Sequence, residues 1–329
     1  MNNRKFPFHR LPDDLCTEIL INMSLREMTF YSFLSKKAHS MIRALGLPIS
    51  FVDVTMTAQL RITLRIDDYP LKFELRMPEI SEGMTTLNDL PDNVQIMEGN
   101  EERNFEPILS NQGMTLSEWI RHLSSFSDDS FSNLRVAIFV ERVKFDIPSL
   151  RKTFPKMRNI HIICWKDEPD EHDILNAQKL LRVSLCDAQN MEIHHVPLQE
   201  KLSLQHIGMT NLKELELIRP INLKLDQLST WNVESCSIET NEISLRDLNR
   251  FFKLWVKGSN RNLKKLLIWG NMDVLPDWNI LLKGLKPIET EPEEEEAKKV
   301  LINNYRGIRA GIEFHNFGET IMVTFTVPN

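Results

Sequence analysis

Two adjacent histidines, His194-His195, are the most metal-like pair in this chain. Neighbouring side chains on a strand point to opposite faces, and no third ligand is spaced to complete a zinc site, so the pair reads as strand text. The acidic run Asp167, Glu168, Asp170, Glu171, Asp173 offers oxygen ligands but lacks the glycine that gives a calcium loop its sharp turn, and it reads as a solvated loop. Cys16, Cys164, Cys186 and Cys236 stand far apart, with neither a CxxC pair nor finger-like His spacing, which suggests a reducing compartment without structural zinc or disulfides. The sequence holds no GxGxxG, P-loop, GxSxG or HExxH spacing. The expectation is a chain without catalytic, cofactor-binding or metal-binding residues: a binding protein, not an enzyme.

Composition narrows the partners. A net charge of −6 gives no basic face for nucleic acid, and 42% hydrophobic residues suffice for a sizeable core. The polar segment 1–10 lacks the apolar centre of a signal peptide, and no run of about 18 apolar residues exists to cross a membrane. A cytoplasmic or nuclear location is expected, with neither nucleic acid nor membrane as partner. The acids Glu291 to Glu296, broken by Pro292, read as the first turn of a helix carrying Lys298, Lys299, Val300 and Leu301. Trp119, on a helix opened by Thr115 and Glu118, reads as core.

The elements that position a binding surface begin at Leu11. Leu11-Pro12-Asp13-Asp14 has the form of a helix start, with Pro at the first helical position and acids in the positive first turn. Leu15, Ile19 and Met23, widened by Leu20, make an apolar stripe that needs a partner. Ser24 and Glu27 have capping-box spacing and open a second helix; Ser35 opens a third, which Gly46 and Pro48 stop. Three short helices in about 40 residues are marginal alone.

The run Leu11-Pro12, Leu15, Ile19-Leu20, Met23-Ser24, Glu27, Ser32 and Ser35-Lys36-Lys37 resembles the F-box. Leu25 replaces a frequent Pro and Leu34 a frequent Cys. The resemblance implies docking onto the Skp adaptor subunit of a cullin-based ubiquitin ligase, with Leu11, Pro12, Leu15, Ile19, Leu34, Ser35 and Lys36 at or near the interface. A reading from the residues alone makes the same helices the core of a small subdomain, or a structural cap on the larger domain behind them.

From Ile49 to Met77 the period changes to two. Phe51–Val54, Leu60–Ile66 and Leu71–Leu75 read as an antiparallel meander, turning at 67–70, and 84–111 as an exposed loop or inserted hairpin. Beyond Asn111, starts at Asn133, Asn159, Asn211 and Asn262 share the order Asn, apolar residue, then strand, with weaker copies at Leu180 and Asn232. The steps of 21 to 31 residues, with helical text between, suggest irregular leucine-rich-repeat-like units; the rival is a two-layer α/β fold with unrelated connections. Ser244 to Asn260 spells a capped helix with Leu245, Leu248, Phe252 and Trp255 inward, Phe251 beside them and Gly258 as its stop. That wording resembles the F-box-associated domain of type 2, whose closing elements resemble Ile280–Leu285 and a hairpin from Gly311 to Val323 turning at Asn316-Phe317-Gly318.

The fold class expected is α/β: a three-helix F-box (6–46), a strand meander and exposed loop (49–110), then a repeat-like partner-binding domain (111–329) that contains the associated segment (about 201–270) and ends in a hairpin. The function this implies is a substrate-recognition adaptor joining the Skp subunit to an unknown protein substrate. The alternative is an interaction scaffold whose first helices only cap the repeats.

Overall fold

The computed structural model describes residues 11–57, 59–66, 69–78, 86–99, 108–126, 134–154, 157–198, 203–221, 223, 225–241, 243–271, 277–289, 299–318 and 320–328. The chain divides into two compact units, the first made of residues 1–137 and 142–158, the second of 138–141 and 159–329. The first unit runs past the expected boundary at 111 and takes in the helix that carries Trp119.

The first unit opens with α1 (Asp13–Ile21), α2 (Leu25–Ser32) and α3 (Lys36–Ala44). Pro12 is the cap of α1, one place earlier than its sequence suggests: its φ of −53° would suit a helix, but its ψ of 148° is extended. The capping box at Ser24 and Glu27 forms as its spacing suggests, and Ser35 Oγ accepts from the Ala38 amide 3.1 Å away. The meander continues the chain as β1 (Phe51–Met56), β2 (Leu60–Ile66) and β3 (Tyr69–Arg76), antiparallel and in register. The turn residues 67 and 68 lie outside the described residues, as do 84, 85 and 100–107 of the segment expected as an exposed loop or inserted hairpin.

Of the two forms expected for that segment, its described strands agree with the inserted hairpin and not with an exposed loop. Asn93–Glu98 is strand β4, paired along β3, and Ile108–Leu109 is β5 beside it. Val94 and Ile96 are buried on one side while Gln95 is buried on the other, so a polar side chain occupies one covered face of this short strand. Next come α4 (Leu116–Ser124) and β6 (Leu134–Phe139), giving the order β6-β1-β2-β3-β4-β5.

The second unit contains β7 (Asn159–Ile163), α6 (Glu171–Ser184), β8 (Asn190–His194), α7 (Leu204–Gly208), β9 (Glu214–Ile218), α8 (Leu225–Leu228), β10 (Ser235–Glu239), α9 (Leu245–Val256) and β11 (Lys265–Asn271). The short α5 (Leu150–Thr153) precedes these in the chain. The strands β7 to β11 lie side by side in chain order, all parallel. After α10 (Trp278–Leu281), β12 (Ile288–Glu289), β13 (Lys299–Asn303), β14 (Arg309–Asn316) and β15 (Thr320–Thr326) extend the sheet antiparallel, with β15 against β11. The hairpin turn expected around Phe317 is thus present.

Register explains the recurring asparagines. Asn190 Nδ2 donates to Asn159 Oδ1 at 2.6 Å, Asn232 to Asn211 at 2.5 Å and Asn262 to Asn232 at 2.6 Å. These are two ladders, not one. Asn159 and Asn190 lie level with Glu214, whereas Asn211, Asn232 and Asn262 stand three residues before their strands. The start at Asn133 lies outside the described residues, and the weaker copy at Leu180–Val183 is helical. There a capping box at Asp170 and Asp173 starts α6, and Ala177, Leu180, Leu181 and Ser184 face inward at a spacing of 3.6. Lys299, Val300 and Leu301 are also strand, not helix: Val300 and Ile302 are buried against β14, and residues 291–298 lie outside the described residues.

Helix α9 anchors this unit as its spacing suggested. Phe251, Phe252 and Trp255 surround Phe325 of β15 at ring separations of 6.1, 5.5 and 5.1 Å, and Leu245 alone of the stripe is half-buried. Gly258 ends the helix at φ 105°, a conformation that side-chain-bearing residues rarely adopt. At the end of α7, the indole of Trp231 lies so close to Gly208 that a methyl group there would overlap it. Because Trp231 is buried, it has no room to withdraw. Gly208→Ala is expected to lower stability by about 1–3 kcal/mol, the usual cost of overpacking, read as a lower midpoint in urea unfolding.

Candidate docking surfaces

The helical start divides its apolar side chains between two directions. Cys16 and Leu20 of α1, Met28 of α2, and Ala38 and Ile42 of α3 are buried, and they make the small core shared by the three helices. The other side of α1 stays open: Leu15 is 43% exposed, Ile19 40% and Ile21 64%. Leu34, on the turn between α2 and α3, is 73% exposed. Of the other residues singled out from the sequence, Pro12, Ser35 and Lys36 are exposed, while Leu11 is half-buried. A groove of about 370 Å³ joins α1 to α3 and is lined by Asp13, Thr17, Lys37, Met41 and Leu45, so Lys37 adds a charge beside the Ser35-Lys36 pair.

A ring cluster that the sequence did not disclose ties these helices to α4. His39 of α3 stacks on His122 at 4.1 Å and 19°, Phe33 stacks on His122 at 4.5 Å, and Trp119 meets Phe33 at 4.9 Å. Ser32 Oγ lies 2.8 Å from His122 Nε2, and His39 Nε2 lies 2.7 Å from Ser125 Oγ. Burial pushes the His122 imidazole down to about 4, and the neighbouring His39 adds to the effect. Both histidines stand more than 80 residues apart in sequence, and no local pattern links them.

In the second unit the face opposite the helices is uncovered. Leu215, Leu217, Cys236, Ile238, Leu266 and Ile268 point to the buried side, while Glu216, Ser237, Glu239, Leu267 and Trp269 point to the other. A cleft of about 930 Å³ lies on this open side over β9, β10 and β11. His194 is on the same side and meets the ring of Trp165 at 4.5 Å, while His195, at φ 49°, lines the cleft itself.

The acidic run at 167–173 is partly built into the fold. Asp170 caps α6, and Lys166 Nζ reaches Asp170 at 2.6 Å and the buried Asp173 at 2.8 Å. Asp170, His172 and Asp173 lie close enough to hold a metal ion, but a lysine ammonium and three amide donors already occupy the carboxylates. No described helix is long and apolar enough to cross a membrane.

Protonation of His122 supplies a prediction. The unfolded imidazole takes a proton near its ordinary value of 6.5, while the folded one resists until about 4. The unfolded chain therefore binds more protons in between, and stability falls as pH drops through that window. Melting temperature should decline from pH 7 to 4.5, and His122→Phe should flatten the decline; an unchanged slope in the variant would refute the assignment.

Comparison with known proteins places names on both surfaces. Residues 8–50 match the F-box domain model, and residues 203–268 match the model described as F-box associated. Over 302 residues the chain is 22% identical to the F-box associated domain-containing protein sdz-33 of Caenorhabditis elegans, covering 87% of this chain and 86% of that one. The open apolar side of α1 lies inside the first match, and β9, α9 and most of the cleft floor inside the second. The chain thus carries one segment similar to the F-box and, behind it, one similar to the F-box-associated domain.

Proposed function

We propose that this chain is a substrate-recognition adaptor of a cullin-type ubiquitin ligase. Leu11, Pro12, Leu15, Ile19, Leu34, Ser35 and Lys36 form the face that docks on the Skp subunit, and the second unit, with its leucine-rich-repeat-like strands, holds a protein substrate. The observation that carries the reading is the apolar side of α1, left open within the F-box match. Four large apolar side chains exposed between Leu15 and Leu34 are out of keeping with a surface made only for water. Ubiquitin transfer takes place on other subunits, and the chain contributes proximity by holding substrate beside them. The cytoplasm or nucleus is where such an adaptor works.

One observation favours a second reading, a scaffold whose first helices are a structural cap. Phe33 and His39 cover Trp119, His122 and Phe126 of the same chain, so these helices also complete their own unit. Deleting them uncovers α4 on either reading and separates nothing. Surface variants do separate the two, because Leu15 and Ile19 support no internal packing on their open side. Co-purification with the Skp subunit should weaken roughly a hundredfold or more in the Leu15→Asp, Ile19→Asp double variant, since each buried aliphatic side chain contributes about 1.5 kcal/mol or more. The melting temperature should hardly move. Failure of the intact chain to bind the Skp subunit ends the adaptor proposal.

A further inference from the structure

The open face of the second unit carries a lateral row of side chains set by register. Glu192, Glu216, Ser237, Leu267, Thr324 and Glu313 stand level on β8, β9, β10, β11, β15 and β14. At the usual separation of neighbouring strands the row spans about 24 Å. Its outer acids have partners: His161 Nδ1 lies 2.9 Å from Glu192, and Lys299 Nζ lies 2.7 Å from Glu313. In the next row Arg219 reaches Glu239 at 3.4 Å. Among the described residues no ion pair reaches Glu216. Partial desolvation and the nearby Glu192, Glu214 and Glu239 raise its carboxyl above the ordinary value, with His161 opposing only in part.

This carboxylate lies in the 930 Å³ cleft, together with Arg219, Ser237, Glu239, Leu267 and Trp269. The half-buried indole of Trp269 offers a face for a planar cation or an alkyl stem. We infer that the cleft takes an arginine- or lysine-bearing segment of a partner protein, the cationic side chain meeting Glu216 and lying along Trp269. The inference rests on the substrate-holding role proposed for this unit and names the class of substrate. An anionic partner would bring like charge against Glu216. A small cation would satisfy Glu216 alone. An extended segment of about seven residues spans the distance from Glu192 to Glu313 and also fills the cleft between them.

The test uses the full chain and a fluorescein-labelled dodecapeptide of alternating arginine and serine, with counterparts carrying glutamine or glutamate in place of arginine. Fluorescence anisotropy at 50 mM salt should show saturable binding of the arginine peptide only. Glu216→Gln, a near-isosteric change of an exposed side chain, should weaken it roughly tenfold or more, the scale of one lost charge-assisted hydrogen bond. Trp269→Ala should weaken it as well, with circular dichroism reporting that the variants stay folded. Absence of binding, equal binding of the glutamine peptide, or undiminished binding by folded Glu216→Gln each overturns the inference. Skp capture measured on the same samples keeps the two proposals apart: cleft variants should retain it, and the Leu15→Asp, Ile19→Asp variant should retain peptide binding.

Discussion

A nine-residue helix with apolar side chains on two of its sides can have only one of them covered by a small bundle, and the organisation of the first unit stems from that limit. Cys16 and Leu20 use the inner side of α1 and leave Leu15 and Ile19 in water. Among the described residues the bundle's own core amounts to five apolar side chains, far too few to hold three helices at the usual return on buried area. The shortfall is met by α4, whose Trp119 and His122 stack under Phe33 and His39. Rings at van der Waals separation resist sliding, so the borrowed core also fixes the orientation in which the open side of α1 is presented. Stability within the chain and readiness to bind outside it come from the same division of one short helix.

What could be read from the letters was local or periodic. Capping boxes at Ser24, Thr115 and Ser244 depend on residues three apart, and each forms as spaced. The alternation in β1, β2 and β3 and the stripe of α9 depend on one buried face, and they too are recovered. The failures share a cause. Strand β4 is covered on both faces, so Gln95, placed where alternation expects a solvent-facing residue, is buried as well. Leu180–Val183 copied the text of a strand start but lies in a helix fixed by a cap ten residues earlier. Lys299–Leu301 looked helical because the acids before it could serve a helix dipole, whereas its partner is β14. In each case the deciding contact lay beyond the window that a spacing argument covers.

The exposed residues of α1 were legible because apolar side chains in excess of what a small bundle can bury are visible in a sequence. The His39–His122 stack and the cleft were not, since both join residues through tertiary register. Glu192, Glu216 and Glu239 stand a repeat step apart along the chain, beyond any local spacing argument; they become neighbours because β8, β9 and β10 run parallel in matched register.

That register has opposite consequences at its two ends. Before the strands it aligns Asn211, Asn232 and Asn262, whose amides can each donate to one neighbour and accept from the other, so lateral repetition is stabilising. Two residues into the strands it aligns carboxylates, which can only accept, so the same repetition accumulates like charge. The fold relieves this at Glu192 with His161, at Glu239 with Arg219 and at Glu313 with Lys299. Glu216, flanked by an acid on β8 and a serine on β10, is reached by none of the described ion pairs. A glutamine there would remove the repulsion at almost no change in shape, which makes the retained charge a property suited to a cation arriving from outside. The asparagine ladders thus hold in register the strands that set this acidic row side by side.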